Sequence, residues 1–164
     1  MARRNQNPRK AAMRKLMGDF LKENDISLKD GSDVNSLMRE MMAALIEETL
    51  DGELDDKLGY DRYDYENKDT DNSRNGHSQK TMHTSYGDVE VDIPRDRKGE
   101  YSPQLIPKYA TTLTKDMEDK ILSMYAKGMT TGDIESHMKE LYGVNISDST
   151  ISRITDRVMP LVKE

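Results

Sequence analysis

Apolar residues recur at helical spacing near the start of the chain. Asn7 followed by Pro8 is typical of a helix start, with the asparagine as cap and the proline in the first turn. The pattern that follows predicts an amphipathic helix over residues 8–23. The apolar positions of this helix are Met13, Leu16, Met17, Phe20 and Leu21.

A polar linker over residues 24–32 leads into a longer, Met-rich apolar stripe that continues through Leu50 and Leu54. Asp33 is predicted to cap this second helix, and little else nearby is expected to cover its apolar face. We therefore favour association of two copies, as a homodimer, over an internal core contact. The residues of this predicted self-association surface are Leu37, Met38, Met41, Met42, Leu45 and Ile46.

The middle of the chain changes from helical spacing to alternation. Residues 60–79 contain no apolar side chain except tyrosine, which predicts a loop or an extended segment. Val89, Val91 and Ile93 then alternate with acidic residues, as in a half-buried strand. Residues 80–84 are predicted to pair with that strand across a turn at 85–87, and Pro94 is predicted to end the hairpin.

Three short helices are predicted in the last third of the chain. The first begins at Thr114, and its inner face includes Tyr125. Thr130 with Asp133 forms a capping pair for the second, whose inner face includes Leu141. Ser147 begins the third, and Pro160 is predicted to end it. This order is typical of a helix-turn-helix domain, and an ordinary three-helix bundle is the alternative.

The third of these helices has inward positions at Ile151, Ile154 and Val158. If it is a recognition helix, hydroxyls near its start can approach bases and phosphates, and two arginines four residues apart share one face. The predicted DNA-binding residues are Ser149, Thr150, Ser152, Arg153 and Arg157.

The predicted fold class is mainly α. It comprises a basic arm with the first helix (1–32), an association helix (33–59), a loop and β-hairpin segment (60–112) and a helix-turn-helix domain (113–160). Only 34% of the 164 residues are hydrophobic, and an equal share is charged. Such a thin core favours disorder of some segments or burial of apolar faces against another copy.

Composition also excludes several classes of protein. There is no cysteine, so no disulfide framework or thiolate metal site can form. No apolar run approaches the length of a membrane span, and the basic N-terminus lacks the apolar core of a secretory signal. These features predict a cytoplasmic protein with no membrane partner.

Charge is unevenly distributed around the net value of −6. Residues 1–18 carry +6, whereas residues 19–71 carry −11. The basic arm fits contact with a polyanion, and a solvated tail fits equally well. The arm residues predicted to contact DNA phosphates are Arg3, Arg4, Arg9 and Lys10.

No active site or metal site can be assembled from the sequence pattern. His77 and His83 lack zinc-ligand spacing and are expected to be solvated or to make minor hydrogen bonds. The run from Asp69 to Ser73 begins like a calcium loop, but the required glycine and glutamate are missing. A solvated helix face is the expectation for the acidic residues Glu47, Glu48, Asp51, Glu53, Asp55 and Asp56.

A set of short motifs in fixed order carries a family resemblance. They include Leu58-Gly59-Tyr60, Asn72-Ser73-Arg74-Asn75-Gly76, Pro94-Arg95-Asp96-Arg97, Leu141-Tyr142-Gly143-Val144 and Ser149-Thr150-Ile151-Ser152-Arg153. The ordered set resembles the N-terminal half of the Mutator-type transposases of bacterial insertion sequences. The resemblance covers most of the chain from about residue 34 onward.

The resemblance implies an enzyme that cuts and joins DNA with an Asp-Asp-Glu triad and two divalent metal ions, Mg²⁺ by expectation, on a ribonuclease-H-like fold. That domain follows the helix-turn-helix in the family, and residues 161–164 are expected to mark its start. No triad position can be carried over to this chain, so we expect no catalysis and no cofactor here.

The resemblance also implies binding of double-stranded DNA at transposon ends, self-association and a location at the bacterial nucleoid. Phosphate contact is hypothesised for the middle-segment residues Arg74, Lys80, Arg95, Arg97 and Lys98, which match the family pattern. Three alternatives stay open. They are a truncated regulator that competes for ends or forms inactive mixed oligomers, a non-DNA oligomerisation module, and a free-standing metal enzyme.

Overall fold

The computed structural model describes residues 7–112 and 115–162, with side chains through Arg157. Its elements are α1 (Pro8–Glu23), α2 (Gly31–Leu58), β1 (Arg74–Thr84), β2 (Gly87–Asp96), α3 (Lys115–Ala126), α4 (Thr131–Tyr142) and α5 (Asp148–Val162). The predicted fold class, mainly α with a small hairpin, is confirmed. The chain forms two compact units, and their boundary in the sequence lies between Val34 and Asn35.

Helix α1 has the predicted bounds and the predicted cap. The Asn7 side chain accepts a hydrogen bond from the backbone N–H of Arg9, and Pro8 occupies the first turn. At the other end, the Asn24 side-chain amide donates to the carbonyl oxygen of Phe20. Asn7 therefore satisfies an N–H that the helix itself leaves without a partner, whereas Asn24 adds a side-chain hydrogen bond to a carbonyl that also accepts from its own backbone N–H. Arg3 and Arg4 lie outside the described residues.

Helix α2 begins earlier than predicted, because Asp30 rather than Asp33 supplies its cap. The Asp30 carboxylate accepts from the backbone N–H of Asp33 at 3.0 Å. Asp33 in turn accepts from the backbone N–H of Lys29 at 2.8 Å. The helix therefore starts at Gly31, and Asp33 lies within its first turn.

The two strands form an antiparallel hairpin that is longer than predicted at its open end. Arg74 pairs with Asp96 and His77 with Pro94, so β1 has one extra residue between these pairs. Gly76 adopts a φ of 67° at this bulge. The bulge lets β2 continue past Pro94, which has no N–H to give to a regular ladder. Of the loop or extended segment predicted over 60–79, residues 74–79 are extended and belong to β1, and the predicted end at Pro94 is wrong.

The C-terminal half of α2 packs against the hairpin. Ile46 and Leu50 are buried with Met82, Val89 and Val91. The apolar face of a two-stranded hairpin needs a cover, and the long helix supplies it. The expectation that little else nearby covers the α2 stripe is thus wrong for this half. Ile46 belongs to the internal core and is removed from the self-association surface.

Four of the six acidic residues expected on a solvated face instead tie α2 to other parts of the chain. Glu47 accepts from the backbone N–H of Asp92 at 3.0 Å. Glu53 accepts from the backbone N–H groups of Gln104 and Leu105, both at 3.0 Å. Asp55 pairs with an arginine of β1, and Asp51 lies 3.7 Å from the Nε2 of a β1 histidine. The expectation holds for Glu48 and Asp56, which are exposed.

Helices α3, α4 and α5 surround one apolar cluster, as predicted. Thr130 and Asp133 form a complete capping box at the start of α4. Gly143 ends that helix in the left-handed conformation, with φ of 64°. The buried members of the cluster are Met117, Ile121, Ile134, Met138, Val144, Ile146, Ile151 and Ile154.

Details of this cluster differ from the prediction. Tyr125 and Leu141 are exposed, whereas Val144 and Ile146 of the α4–α5 loop are buried in their place. The loop folds back over the apolar core. Its two buried side chains therefore fill positions that the helical pattern had assigned to residues of α3 and α4. Helix α5 continues past Pro160 to Val162. The predicted end at Pro160 is therefore wrong, although the missing N–H of Pro160 removes one backbone hydrogen bond from the last turn. The Val158 side chain is outside the described part.

Asp88 of β2 links the hairpin to the helical cluster through hydrogen bonds. The Asp88 carboxylate lies 2.6 Å from Nδ1 of His83 and accepts from the backbone N–H of Asn145 at 3.0 Å. His83 is buried, so its hydrogen bond is part of the fold and not a minor surface contact as expected. His77 is exposed. Among the described residues, no helix is both long enough and apolar enough to span a membrane.

Candidate nucleic-acid interface

A cleft of about 510 Å³ separates α5 from the extended segment 107–112. Its α5 wall contains three residues predicted from sequence, Thr150, Arg153 and Arg157. The opposite wall contains Lys108 and Tyr109, and α3 contributes a glutamate to the floor. We call this space the cleft. It brings together side chains that the sequence placed in separate segments.

The start of α5 carries a group of linked hydroxyls. The Ser147 hydroxyl accepts from the backbone N–H of Thr150 at 3.3 Å and therefore caps the helix. It also lies 3.1 Å from the Ser149 hydroxyl and 2.9 Å from that of Thr150. Thr150 accepts a further hydrogen bond from an Nη of Arg153 at 3.1 Å. Ser152, also predicted, is half-buried beside this group.

Arg157 is held at the other end of the cleft by an acidic neighbour. Its guanidinium donates to Glu118 Oε1 of α3 at 2.9 Å. The same oxygen accepts a longer hydrogen bond, 3.4 Å, from the Thr112 hydroxyl. Arg157 is 64% exposed at its side chain, so the guanidinium can reach both Glu118 and a molecule in the cleft.

The opposite wall is a turn with an unusual residue at its tip. The backbone N–H of Ala110 donates to the carbonyl oxygen of Pro107 at 3.0 Å, which closes a four-residue turn. Tyr109 occupies the third position of this turn with φ of 71°. Its ring is 81% exposed, and the Lys108 ammonium lies 5.3 Å from the ring centroid.

A second basic surface lies at the open end of the hairpin, where a buried polar pair joins two sequence motifs. The Asn72 side-chain amide donates to Asp96 Oδ2 at 2.8 Å, and both residues are buried. Asn72 Oδ1 accepts from the backbone N–H of Ser73 and Lys98. Asp96 accepts from the backbone N–H groups that follow it, those of Glu100 at 2.8 Å and of residue 101 at 3.2 Å.

This pair fixes the backbone on which two predicted DNA-binding residues stand. Arg95 and Arg97 flank Asp96, and both side chains are exposed. Burial alone would raise the pKa of Asp96, but its hydrogen bonds with Asn72 and with backbone N–H groups outweigh that effect and lower the pKa. The carboxylate therefore stays charged and keeps its acceptor role.

The remaining predicted residues of the middle segment are engaged within the chain. The Arg74 guanidinium pairs with Asp55, and its Cζ lies 4.8 Å from the centroid of the Tyr60 ring. Lys98 pairs with Asp71, and their hydrogen bond lowers the pKa of Asp71 and raises that of Lys98. Phosphate contact by Arg74 or Lys98 stays a prediction, and phosphate would compete there with an acidic partner.

Lys80 lies on the side of the hairpin that faces the core. It pairs in register with Val91, which is fully buried, so both side chains lie on the same face of the hairpin. Burial lowers the pKa of Lys80. Its phosphate contact also stays a prediction, from a position that is half-buried.

Sequence reasoning missed the residues that organise these two surfaces. Asn72 and Asp96 were part of recognised motifs, but no signal assigned them to each other across 24 residues. The sequence pattern does not distinguish Glu118 from the other acidic residues expected on helix surfaces. The Pro107-Lys108-Tyr109-Ala110 turn carries a proline signal, yet nothing in its composition predicts a positive φ at tyrosine.

The described residues offer no metal centre. Within residues 7–112 and 115–162, no three His, Asp or Glu side chains come together in an arrangement that could hold a metal ion. The acids nearest to the hairpin are also committed to backbone N–H groups, an arginine or a histidine.

Sequence comparison relates the chain to transposases. The model of the family described as "Transposase, Mutator family" matches residues 11–164. The transposase for insertion sequence element ISRM3 of Rhizobium meliloti (strain 1021) is 40% identical over 154 residues, which are 94% of this chain and 37% of the relative. The transposase for insertion sequence element IS1201 of Lactobacillus helveticus is 31% identical over 147 residues.

The matched region makes up most of this chain and a smaller part of each relative. For the Lactobacillus helveticus protein it is 90% of this chain and 40% of the relative. A transposase for insertion sequence element IS256 in transposon Tn4001, from Staphylococcus aureus, is 32% identical over 91 residues, or 56% of this chain and 23% of the relative. The chain thus spans well under half of the length of these curated relatives.

Proposed function

Because the chain belongs to the Mutator family of transposases, we propose that it binds double-stranded DNA at the ends of an insertion element. In this proposal α4 and α5 act as a helix-turn-helix, and α5 is the helix that enters the major groove. The relatives named as transposases of insertion sequences support the class of substrate. The cleft supports the place of contact.

The proposal rests on the composition of the outward face of α5. Hydroxyls cluster in its first turn, and Arg153 and Arg157 follow on the exposed side. Short hydroxyl side chains allow a helix to approach closely, and arginine can donate two hydrogen bonds to guanine or to a phosphate. The inner face meanwhile packs into the apolar cluster, which holds this outer face in a fixed orientation.

Basic residues elsewhere would add contacts with phosphates. Arg95 and Arg97 project from the rigid open end of the hairpin. Arg9 and Lys10 lie exposed in the first turn of α1, where they oppose the helix dipole. Since cations there do not stabilise the helix, phosphate contact gives them a role that local stability does not.

We further propose that the face of α2 formed by residues 38, 41 and 45 mediates self-association. Met38, Met41 and Leu45 recur at intervals of three and four residues, and they lie on a different face from Ile46. Leu45 is 66% exposed, which is unusual for a leucine on a helix that otherwise packs on the hairpin. A homodimer would bring two reading helices to paired DNA sites.

Strand cleavage and joining belong, in this proposal, to the whole transposase and not to these residues. The acids described above hold backbone and basic groups in place, so they are structural. Any divalent ion used by the whole protein, such as Mg²⁺, would bind outside residues 7–112 and 115–162.

The test is binding of the purified chain to a duplex with the element's terminal inverted repeat and to a scrambled duplex across a salt series. We expect a preference for the repeat that is lost when Arg153 and Arg157 are both changed to Ala. Equal binding to both duplexes with a steep salt slope would leave only contact between basic residues and phosphates. Absence of binding would favour an oligomerisation module.

A further inference from the structure

Tyr109 combines a strained backbone with an exposed ring. Its φ of 71° lies in the left-handed region, which bulky side chains rarely adopt. In a turn of this kind the third position favours glycine or asparagine. A buried ring could offset the strain, but this ring is 81% exposed, and its contact with the Lys108 ammonium is of the weak, exposed kind. The fold therefore gains little from having tyrosine here.

The turn is nevertheless fixed in position on both sides. The carbonyl oxygen of Thr111 accepts from the backbone N–H of His83 at 2.8 Å, which attaches the segment to the hairpin. The Thr112 hydroxyl reaches Glu118 of α3, and Ala110 packs against the core between α2 and the hairpin. These anchors hold the Tyr109 ring at the rim of the cleft, opposite α5.

We propose that Lys108 and Tyr109 form a second DNA contact, which grips the sugar–phosphate backbone of the same duplex whose bases α5 reads. This inference rests on the proposed function and adds two residues to it. Lys108 supplies a charge for one phosphate, and the Tyr109 hydroxyl donates to a phosphate oxygen while its ring lies against the sugar. Such contacts set the register of a protein on DNA without reading sequence.

Charge favours DNA over another occupant of this cleft. Three cationic side chains line it, against the two carboxylates of Glu118 and Asp156. Because Glu118 accepts from Arg157, this pair leaves Lys108 and Arg153 against the carboxylate of Asp156. The lining is therefore net basic, and it includes the aromatic ring and phenol hydroxyl of Tyr109. This is the set of groups that commonly contacts phosphates.

The chain contains a matched control for Tyr109. Tyr63 also has a positive φ, 69°, a ring that is 71% exposed and a cationic neighbour, Arg62, at 5.1 Å from its centroid. It lies in the loop between α2 and β1, away from the residues that line the cleft. Asparagine tolerates a positive φ, so Tyr109→Asn and Tyr63→Asn remove equivalent rings while leaving both turns free of added strain.

The experiment measures affinity of the full 164-residue chain for the terminal-repeat duplex and for a scrambled duplex, at several salt concentrations. We expect Tyr109→Asn to weaken binding to both duplexes by the same factor, about tenfold for one lost hydrogen bond to a charged group. Lys108→Ala should reduce the salt slope by about one. Tyr63→Asn should leave affinity unchanged, and melting temperatures of both asparagine variants should equal or exceed that of the unmodified chain.

The contrary outcomes are distinct. Unchanged affinity in Tyr109→Asn, while the unmodified chain still prefers the repeat, overturns this inference and leaves the proposed function intact. A loss of affinity in Tyr109→Asn that is confined to the terminal-repeat duplex would mean that Tyr109 reads bases. It would overturn the proposed contact with the sugar–phosphate backbone. Equal losses in the Tyr109 and Tyr63 variants mean a general effect of exposed tyrosines and also overturn it. If the unmodified chain binds neither duplex, the proposed function fails and the inference fails with it.

Discussion

Replacement of Asp96 by Ala should destabilise the unit that contains the hairpin. The Asp96 carboxylate accepts from the Asn72 amide and from the backbone N–H groups of Glu100 and Tyr101. The Asn72 amide is buried, and leaving a buried donor without an acceptor costs about 1–3 kcal/mol. The two backbone donors lie in partly exposed residues where water can replace the carboxylate, and they add about 0.5 kcal/mol each. The expected total is about 2–4 kcal/mol.

Urea unfolding followed by far-ultraviolet circular dichroism measures this loss. Hydrogen exchange adds the location, because the amides of Glu100 and Tyr101 should exchange faster in the variant. Asp92→Ala is the matched control. It removes an exposed carboxylate from the same strand and should change stability by less than about 0.5 kcal/mol. Equal losses in the two variants would refute the assignment of Asp96 as a buried acceptor.

The Asp96 carboxylate should also make the free energy of unfolding depend on pH in the acidic range. Its pKa is lowered in the folded chain, so its contribution is fully present above the pKa of the unfolded state and is lost as pH falls through the folded value. The free energy of unfolding should therefore decline less between about pH 5 and pH 2 in Asp96→Asn than in the unmodified chain. Identical acid profiles would contradict the role assigned to its hydrogen bonds.

Three further changes test other contacts. Glu118→Gln should tighten DNA binding by about twofold to fivefold and steepen its salt dependence, because it releases Arg157 and removes a negative charge from the cleft. Tyr101 is half-buried, and that burial together with the Glu53 carboxylate raises its pKa far above the ordinary value. Stability should therefore fall as pH rises above about 10, and Tyr101→Phe should reduce that fall. Leu45→Glu should weaken self-association, measured by analytical ultracentrifugation, while changing stability by less than about 0.5 kcal/mol.

Two of these changes have a control within the chain. Glu140→Gln alters a helix acid that is exposed and does not line the cleft, and it should not tighten DNA binding by as much as Glu118→Gln. An alkaline decline that is unchanged in Tyr101→Phe would contradict the role of Tyr101. Leu141→Glu introduces the same charge at another exposed leucine, and equal loss of association there would mean that α2 is not the interface.

The sequence predicted several features whose determining contacts are local, although the local cap of α2 at Asp30 was missed. The Asn7 cap, the capping box of Thr130 with Asp133 and the Gly143 helix end each depend on groups at most five residues apart. The alternation at Val89 and Val91 also identified the core face of β2. Such local signals do not depend on how distant segments meet.

Contacts across long sequence distances explain most of the errors. Nothing in the α2 sequence shows that Glu53 will meet residues 51 and 52 positions later, so its carboxylate resembled a solvated one. The cover for Ile46 comes from Met82 and Val89, which a helical pattern cannot reveal. The cleft is likewise a product of tertiary structure, because its walls belong to α5 and to segment 107–112.

Several residues of the motifs that carry the family resemblance have clear roles in the fold. Asn72 and Asp96 bind each other at the hairpin base, and Gly76 permits the bulge that lets β2 pass Pro94. Gly143 ends α4 and sets the loop that buries Val144. A relative that shares these residues would share the geometry, whichever DNA end it recognises. Base preference would instead follow the exposed residues of α5, which can change without disturbing the apolar face beneath them.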